Sequence, residues 1–392
     1  MNASAKPKVV VFSDHLLYPS ETFIRAQAYA LSEFEPVFVG SRRVQGLELP
    51  KDHTYTISHG DFAGRIREGI FKLFGYAPRR LTKPLGALKP VLLHAHYGAN
   101  GLRALPLARD LGIPMIVTFH GSDATATDLR NESAPFGHRR YLARRQELRN
   151  GGSLFLAVSQ FIRRKLLAQG FPDDKVLVHY TGVDTKLFRP GSTESSPVVL
   201  FVGRLSERKG VEFLIRATVQ VQKELPGAEL IVIGDGEIRA DLEKQAKESL
   251  RHYRFLGVRT HEEVRDWMNF ASIFCAPSVR LLSGEEEAFG MVNGEAMAMG
   301  KPVVAFDSGG ISEVVVHGQT GFLAPERDWR ALAKYLSVLL QDAGLRQKFG
   351  VAGRERVIRE FDLEKRTRVL EAIYARVSGI RIQDTEPAIA RA

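Results

Sequence analysis

Cysteine is almost absent: Cys275 is the only one in 392 residues. That excludes an internal disulfide framework and fits a reducing compartment. Long apolar runs are missing too, since nothing approaches the roughly 18 consecutive apolar residues of a spanning helix. The opening MNASAKPKVVVFSDH reaches Asp14 after the short run Val9–Phe12, so it does not read as a signal peptide. With 35 Gly and 18 Pro, the chain is too poor in both for collagen or a disordered Pro/Gly segment. The expectation is a cytoplasmic protein, soluble or peripheral on the inner face of the cytoplasmic membrane.

Acidic residues are scarce in one half only. Residues 1–190 hold 27 Lys and Arg against 16 Asp and Glu, whereas residues 191–392 hold 28 against 29. The net charge of +10 therefore belongs to the first half. Nucleic acid, an anionic membrane surface and a solvated basic face all fit such a patch.

What is present in quantity is alternation of short apolar runs with amphipathic stretches. Val9–Phe12, Pro36–Gly40, Pro90–His94, Ile113–Phe119, Leu154–Val158 and Lys175–His179 read as strands, with helices near 21–31 and 160–169. After the linker-like PGSTESSP (190–197) the pattern restarts with Val198–Val202, Glu229–Ile233, Tyr253–Leu256, Ile273–Ala276 and Val303–Ala305. Helices fall at 210–224, 235–248, 261–269 and 290–299, then from 328 onward. The reading is α/β: two Rossmann-like, doubly wound domains facing each other across a cleft. Its boundaries are 1–190, a linker at 191–197, 198–360, a terminal helix at 361–380 packing back on the first domain, and a tail at 381–392.

Four segments could carry chemistry. In Glu287-Ala-Phe-Gly-Met-Val-Asn-Gly-Glu295, Gly290 interrupts the chain where a helix starts, placing Glu287 in the loop and Glu295 on the second turn. Carboxylates flanking a helix N-terminus suit a ligand bearing phosphates and hydroxyls; equally, Glu285–Glu287 could serve only the helix dipole. In Phe201-Val-Gly-Arg-Leu-Ser-Glu-Arg-Lys-Gly210, Gly203 allows close approach while Arg204 and Lys209 can clamp a diphosphate, unless they form a solvated turn. Ile231-Val-Ile-Gly-Asp-Gly-Glu237 approaches a dinucleotide fingerprint, but Arg239 stands where the third glycine belongs. An NAD-dependent oxidoreductase is thus a weaker alternative. Thr118-Phe-His-Gly-Ser-Asp123 and His94-Ala-His96-Tyr97-Gly98 put histidines at strand ends, where such sheets bind ligands. Their spacing matches no metal site, and none is expected.

Two basic segments could meet a membrane. Phe62, Ile66, Ile70 and Phe74 recur every fourth residue among Arg65, Arg67, Lys72, Arg79 and Arg80. Pro135–Arg149 adds Arg139, Arg140, Arg144, Arg145 and Arg149. Either could instead be a core-facing amphipathic helix.

Together, HAHYG, TFHGSD, AVSQFIRRKLLAQGF, YTGVDTKLF, LFVGRLSERKG, IVIGDGEIR, EEEAFGMVNGEAMAMGKPVVAFDSGGISEVV and GQTGFLAPERD resemble the family 4 retaining glycosyltransferases of the GT-B fold. SETFI (Ser20–Ile24) is similar to the branch that builds exopolysaccharides such as colanic acid and amylovoran. The resemblance implies transfer of a hexosyl group from a nucleotide-diphosphate sugar, UDP-hexose before GDP-mannose, to a lipid-linked or saccharide acceptor. It implies that Arg204 and Lys209 hold the diphosphate in place of a metal and that Glu295 meets the ribose. Glu287 would meet the donor-sugar hydroxyls, and the Phe289, Gly290, Met291 and Val292 N–H groups the phosphates. Gly203, Gly234, Gly257 and Val258 would border the nucleotide, and His120 would sit at the donor sugar. Neither cofactor nor nucleic acid is implied; a basic nucleic-acid-binding protein remains an alternative on charge alone. One departure stands out. Many relatives carry a glycine-rich loop after the first strand, whereas here Ser13–Thr22 has no glycine. Ser20, Glu21 and Thr22, with His96 and Tyr97, are the acceptor-side candidates.

Overall fold

The computed structural model describes residues 6–125, 136–191 and 196–382. The chain divides into two units, Met1–Gly182 with Leu363–Ala392, and Val183–Asp362.

Unit 1 opens with β1 (Lys8–Phe12), β2 (His15–Leu16), α1 (Thr22–Tyr29), β3 (Glu35–Arg43), β4 (Thr54–Ser58), α2 (Phe62–Phe74) and α3 (Arg79–Ala87). It continues through β5 (Leu92–His96), α4 (Gly98–Leu111), β6 (Met115–Phe119), α5 (Ser122–Thr125), α6 (Phe136–Gly151), β7 (Leu154–Ala157), α7 (Gln160–Ala168) and β8 (Val176–Val178). Its sheet runs β2-β3-β1-β5-β6-β7-β8, with β4 added on β3, and every pairing is parallel. Helices cover such a sheet on both faces, so KVVVF and MIVTF are nearly continuous apolar runs and are buried almost throughout.

Unit 2 holds β9 (Ser196–Val202), α8 (Val211–Glu224), β10 (Glu229–Ile233), α9 (Arg239–Ser249), β11 (Tyr253–Gly257), α10 (His261–Phe270) and β12 (Ala271–Ala276). It ends with α11 (Met291–Ala298), β13 (Val303–Phe306), α12 (Ile311–Val314), β14 (Gly321–Ala324), α13 (Trp329–Gln341) and α14 (Ala343–Arg356). The order β11-β10-β9-β12-β13-β14 is the doubly wound order, reversing between β9 and β12. In unit 1 the same reversal falls between β1 and β5. Chemistry in such sheets gathers outside the carboxyl ends of the strands at that point.

The last helix, α15 (Leu363–Ser378), rejoins unit 1. Its Leu370, Ile373, Tyr374 and Ala375 share a core with Val9, Leu92, Ile116 and Leu156. Glu371 fixes it further, accepting from Ser32 N and Glu33 N at 2.6 Å each and from Ser32 Oγ at 2.9 Å.

Several boundaries differ from expectation. The chain enters unit 2 at Val183 rather than at a linker over 191–197. The reason is local: Val183 N donates to Phe361 O at 2.7 Å and bridges Asp362 in parallel, while Phe188 is buried. Ser196 and Pro197 already belong to β9; residues 192–195 lie outside the described residues, as do Pro135 and residues 383–392 of the tail. The short strands β2, β4 and β14 have no counterpart in the sequence reading.

Candidate active site

The centre of the unit 2 site is Glu287. Its carboxylate accepts from Lys209 Nζ, from Arg208 Nη1 at 3.1 Å and from Ser278 Oγ at 3.3 Å. Burial would raise its pKa, but the Lys209 and Arg208 charges outweigh burial and hold it at about 2. Lys209 and Arg208 come from the turn after β9, which Gly210 closes into α8. Glu287 itself is held from behind by the Gly309–Gly310 turn. Gly310 N donates to the Glu287 carbonyl at 2.8 Å, and a Cβ on Gly309 would stand 2.0 Å from that oxygen. Only glycine, with φ at +61°, fits there.

Three residues on, Gly290 caps α11 in the left-handed conformation, so the first N–H groups of the helix open beside Glu287. Glu295, one turn further, is half-buried and its carboxylate has no partner among the described residues. Burial pushes its pKa up to about 7. Asn293 Oδ1 and Ser308 Oγ are likewise buried without a hydrogen-bond partner among the described residues. Opposite demands thus sit eight residues apart: one carboxylate is fully charged and paired, the other is uncharged or waiting for a donor.

At the neighbouring strand ends, Gly203 N donates to Ile233 O at 3.0 Å and Gly234 N to Gly257 O at 2.9 Å. Glycine backbone thus stands at the carboxyl ends of β9, β10 and β11, and a Cβ on Gly234 would lie 1.9 Å from Gly203 O. Val258 is 72% exposed just beyond. Arg204 departs from the expected clamp. Its side chain is 75% exposed and its Nε donates to Glu237 at 3.2 Å, so it does not join Lys209. Arg208, not expected at the site, takes that place because the short helical turn Glu207–Lys209 turns it toward Glu287.

In unit 1 the expected residues converge at the carboxyl ends of β5 and β6. His120 Nε2 lies 3.0 Å from His96 Nδ1, with the rings stacked, and Phe23 and Tyr97 pack on His120 at 4.9 Å each. Burial lowers both imidazoles, His96 to about 3, so both are neutral at pH 7 and one must donate to the other. His94 spends its two nitrogens on Tyr374 and Thr118, at 2.5 and 2.7 Å. Among the described residues no group of three His, Cys, Asp or Glu side chains could hold a metal ion.

Asp123, the last residue of TFHGSD, organises this corner. It accepts from Gly98 N at 2.9 Å, Gly121 N at 2.8 Å and His120 N at 3.2 Å. Tyr97 adopts φ of +72°, an uncommon conformation for a side-chain-bearing residue, and its hydroxyl bonds Glu21. Glu21 also accepts from Tyr18 N at 2.8 Å, which fixes the glycine-free loop. Glu21 and Tyr97 are thus joined, while Ser20 is exposed and Thr22 half-buried at the start of α1. The same loop is anchored by Asp14, buried beside Ser41, Lys72 at 3.2 Å and Arg103 at 3.6 Å.

Residues 20–187 match the family model Glycosyltransferase Family 4, and residues 183–356 match Glycosyl transferases group 1. The amylovoran biosynthesis glycosyltransferase AmsK of Erwinia amylovora is 30% identical over 295 residues, covering 73% of this chain and 70% of that one. WcaL of Escherichia coli (strain K12), a glycosyltransferase named for colanic acid biosynthesis, is 31% identical over 257 residues; the match covers 63% of this chain and 61% of WcaL. Among solved structures, Anabaena HepE with UDP and glucose superposes with a TM-score of 0.75 at 19% identity, covering 94% of this chain and all of that one. At that identity the likeness shows the fold, two Rossmann-like α/β units of the GT-B type. With both halves matched, and a relative 30% identical over 73% of this chain and 70% of its own length, the chain belongs to glycosyltransferase family 4.

Proposed function

We propose that the chain is a retaining, metal-independent hexosyltransferase using a nucleotide-diphosphate sugar, UDP-hexose in first place and GDP-mannose in second. The acceptor is a lipid-linked or saccharide intermediate of a surface or exopolysaccharide, which would bring the enzyme to the inner face of the cytoplasmic membrane. The observation that carries this is the Glu287–Lys209–Arg208 cluster at the start of α11, one turn from Glu295, which has no partner among the described residues. A diphosphate needs fixed cations and free N–H groups, and sugar hydroxyls need carboxylates; this corner offers all of them. HepE, crystallised with UDP and glucose, and the polymer-building names of WcaL and AmsK agree with the reading.

In this scheme the bond from the anomeric carbon to the β-phosphate oxygen breaks while the acceptor oxygen bonds on the same face. The acceptor proton passes to the leaving phosphate. No enzyme nucleophile is required, so Glu287 and Glu295 are not a hydrolase pair. Lys209 and Arg208 neutralise the charge that grows on the leaving group, the service that a metal gives elsewhere. Arg204, held by exposed Glu237, exchanges that partner for the diphosphate, and His120 serves as a sugar contact.

A thermal-shift panel with UDP, GDP, ADP and NAD, with and without EDTA, tests the proposal. One nucleoside diphosphate raises Tm and EDTA leaves the shift intact; a response only to NAD, or only with added metal, refutes it. Lys209→Ala lowers transfer by about a hundredfold or more while leaving the far-ultraviolet spectrum unchanged.

A further inference from the structure

Helix α2 is oriented against its own composition. At about 100° per residue, Phe62, Ile66, Ile70, Leu73 and Phe74 fall within one arc of about 120°. All five are exposed, Phe62 by 81% and Phe74 by 77%. The opposite side is the buried one and consists of Gly64, Glu68 and Phe71. Glu68 is tolerated there because Lys72 pairs with it at 2.6 Å and Arg42 at 3.7 Å. Tyr76, 60% exposed, extends the apolar strip beyond the Gly75 cap. A single exposed Leu or Ile is unremarkable, but a contiguous strip of six large side chains marks an interaction surface.

The surroundings say what it meets. Arg43 and Arg65 line a cavity of about 430 Å³ next to α2, with Arg42, His59 and Ser58; Glu68 is its one acidic wall among the described residues. Neither Arg43 nor Arg65 has a carboxylate partner among the described residues, and the same holds for the exposed Arg79, Arg80 and Lys83 of α3. Apolar side chains fringed by unneutralised cations complement a layer whose interior is hydrocarbon and whose rim is phosphate. A protein partner covering the strip would leave these cations unmatched unless it were itself acidic.

We propose that the outer face of α2 seats in an anionic lipid surface, Phe62, Ile66, Ile70 and Phe74 entering the headgroup–acyl boundary while the Arg43–Arg65 cavity takes a lipid phosphate. The surface belongs to unit 1 alone and owes nothing to donor chemistry. Vesicle binding without nucleotide therefore tests it separately, and its failure leaves the transferase reading standing.

The experiment is co-sedimentation of the full chain with vesicles of phosphatidylcholine alone and of phosphatidylcholine mixed with phosphatidylglycerol. Binding is expected on the mixed vesicles only. At about 1 kcal/mol for each cation near the surface, Arg43→Gln with Arg65→Gln lowers the partition coefficient about thirtyfold. Phe62→Ser with Phe74→Ser lowers it at least tenfold and, unlike the charge variant, also at high salt. Both pairs are exposed, so folding is not at issue. In Phe62→Trp, tryptophan emission shifts to the blue on mixed vesicles. Equal binding to both vesicle types, or unchanged binding by either double variant, would overturn the proposal.

Discussion

Glu287 and Glu295 show how one residue type takes two roles from its surroundings. Glu287 stabilises the fold above the carboxylate range, because Lys209 and Arg208 hold its pKa at about 2, and that contribution fades as pH falls from about 4.5 toward 2. Glu295 has the reverse sign. Its folded pKa of about 7 lies above the usual 4.5, so the folded state binds the proton more tightly and stability falls as pH rises between those values. Above pH 7 the loss is complete and constant. Glu295→Gln removes it and stabilises unit 2 at pH 8 by on the order of 2 kcal/mol, near 4–8 °C in Tm, with little change at pH 4. The same variant weakens nucleotide binding if Glu295 meets the ribose, since stability and function then pull apart at one side chain. Melting curves at pH 4 and pH 8 decide it; a lower Tm at pH 8 would mean that Glu295 is already partnered in the folded chain.

Among the elements, α15 is the one whose place in sequence and place in structure are furthest apart. It lies after unit 2 yet completes the core of unit 1, and its buried Glu371 holds the turn after α1 by three hydrogen bonds. Glu371→Ala leaves those donors to weaker partners and lowers unit 1 stability by roughly 2–4 kcal/mol. Both tryptophans, Trp267 and Trp329, lie in unit 2, so their fluorescence is blind to this change. Urea unfolding followed by circular dichroism shifts to lower urea, whereas unfolding followed by tryptophan emission stays in place; a common shift would contradict the separation. The long elements were legible because their patterns are periodic over many residues: α8, α10 and α15 lie within two residues of expectation. Strands β2 and β14, of two and four residues, are too short to show a period, and Thr54–Ser58 carries only one fully apolar residue, Ile57. For α2 the periodicity gave the stripe but not its direction, since a paired buried Glu68 cannot be told from a solvated one along a sequence.

At the scale of the whole molecule, the two units repeat an architecture while differing in charge, and the sequence carried both facts. What it could not carry was pairing across turns. Arg208 rather than Arg204 reaches Glu287, and Glu237 captures Arg204, because those contacts depend on how a three-residue helical turn orients consecutive side chains. Asp123 escaped for the same reason: its three backbone donors come from two separate loops. The segregation of roles has a thermodynamic consequence. A ligand that binds only the folded form of unit 2 stabilises that unit by mass action, about 2.7 kcal/mol at a hundred times Kd, and leaves unit 1 unfolding where it was. Tryptophan emission therefore shifts to higher urea with the cognate nucleoside diphosphate, while the unit 1 transition, isolated in Glu371→Ala, does not move. Were the nucleotide to raise both transitions equally, donor binding would not be confined to the Glu287–Lys209–Arg208 corner.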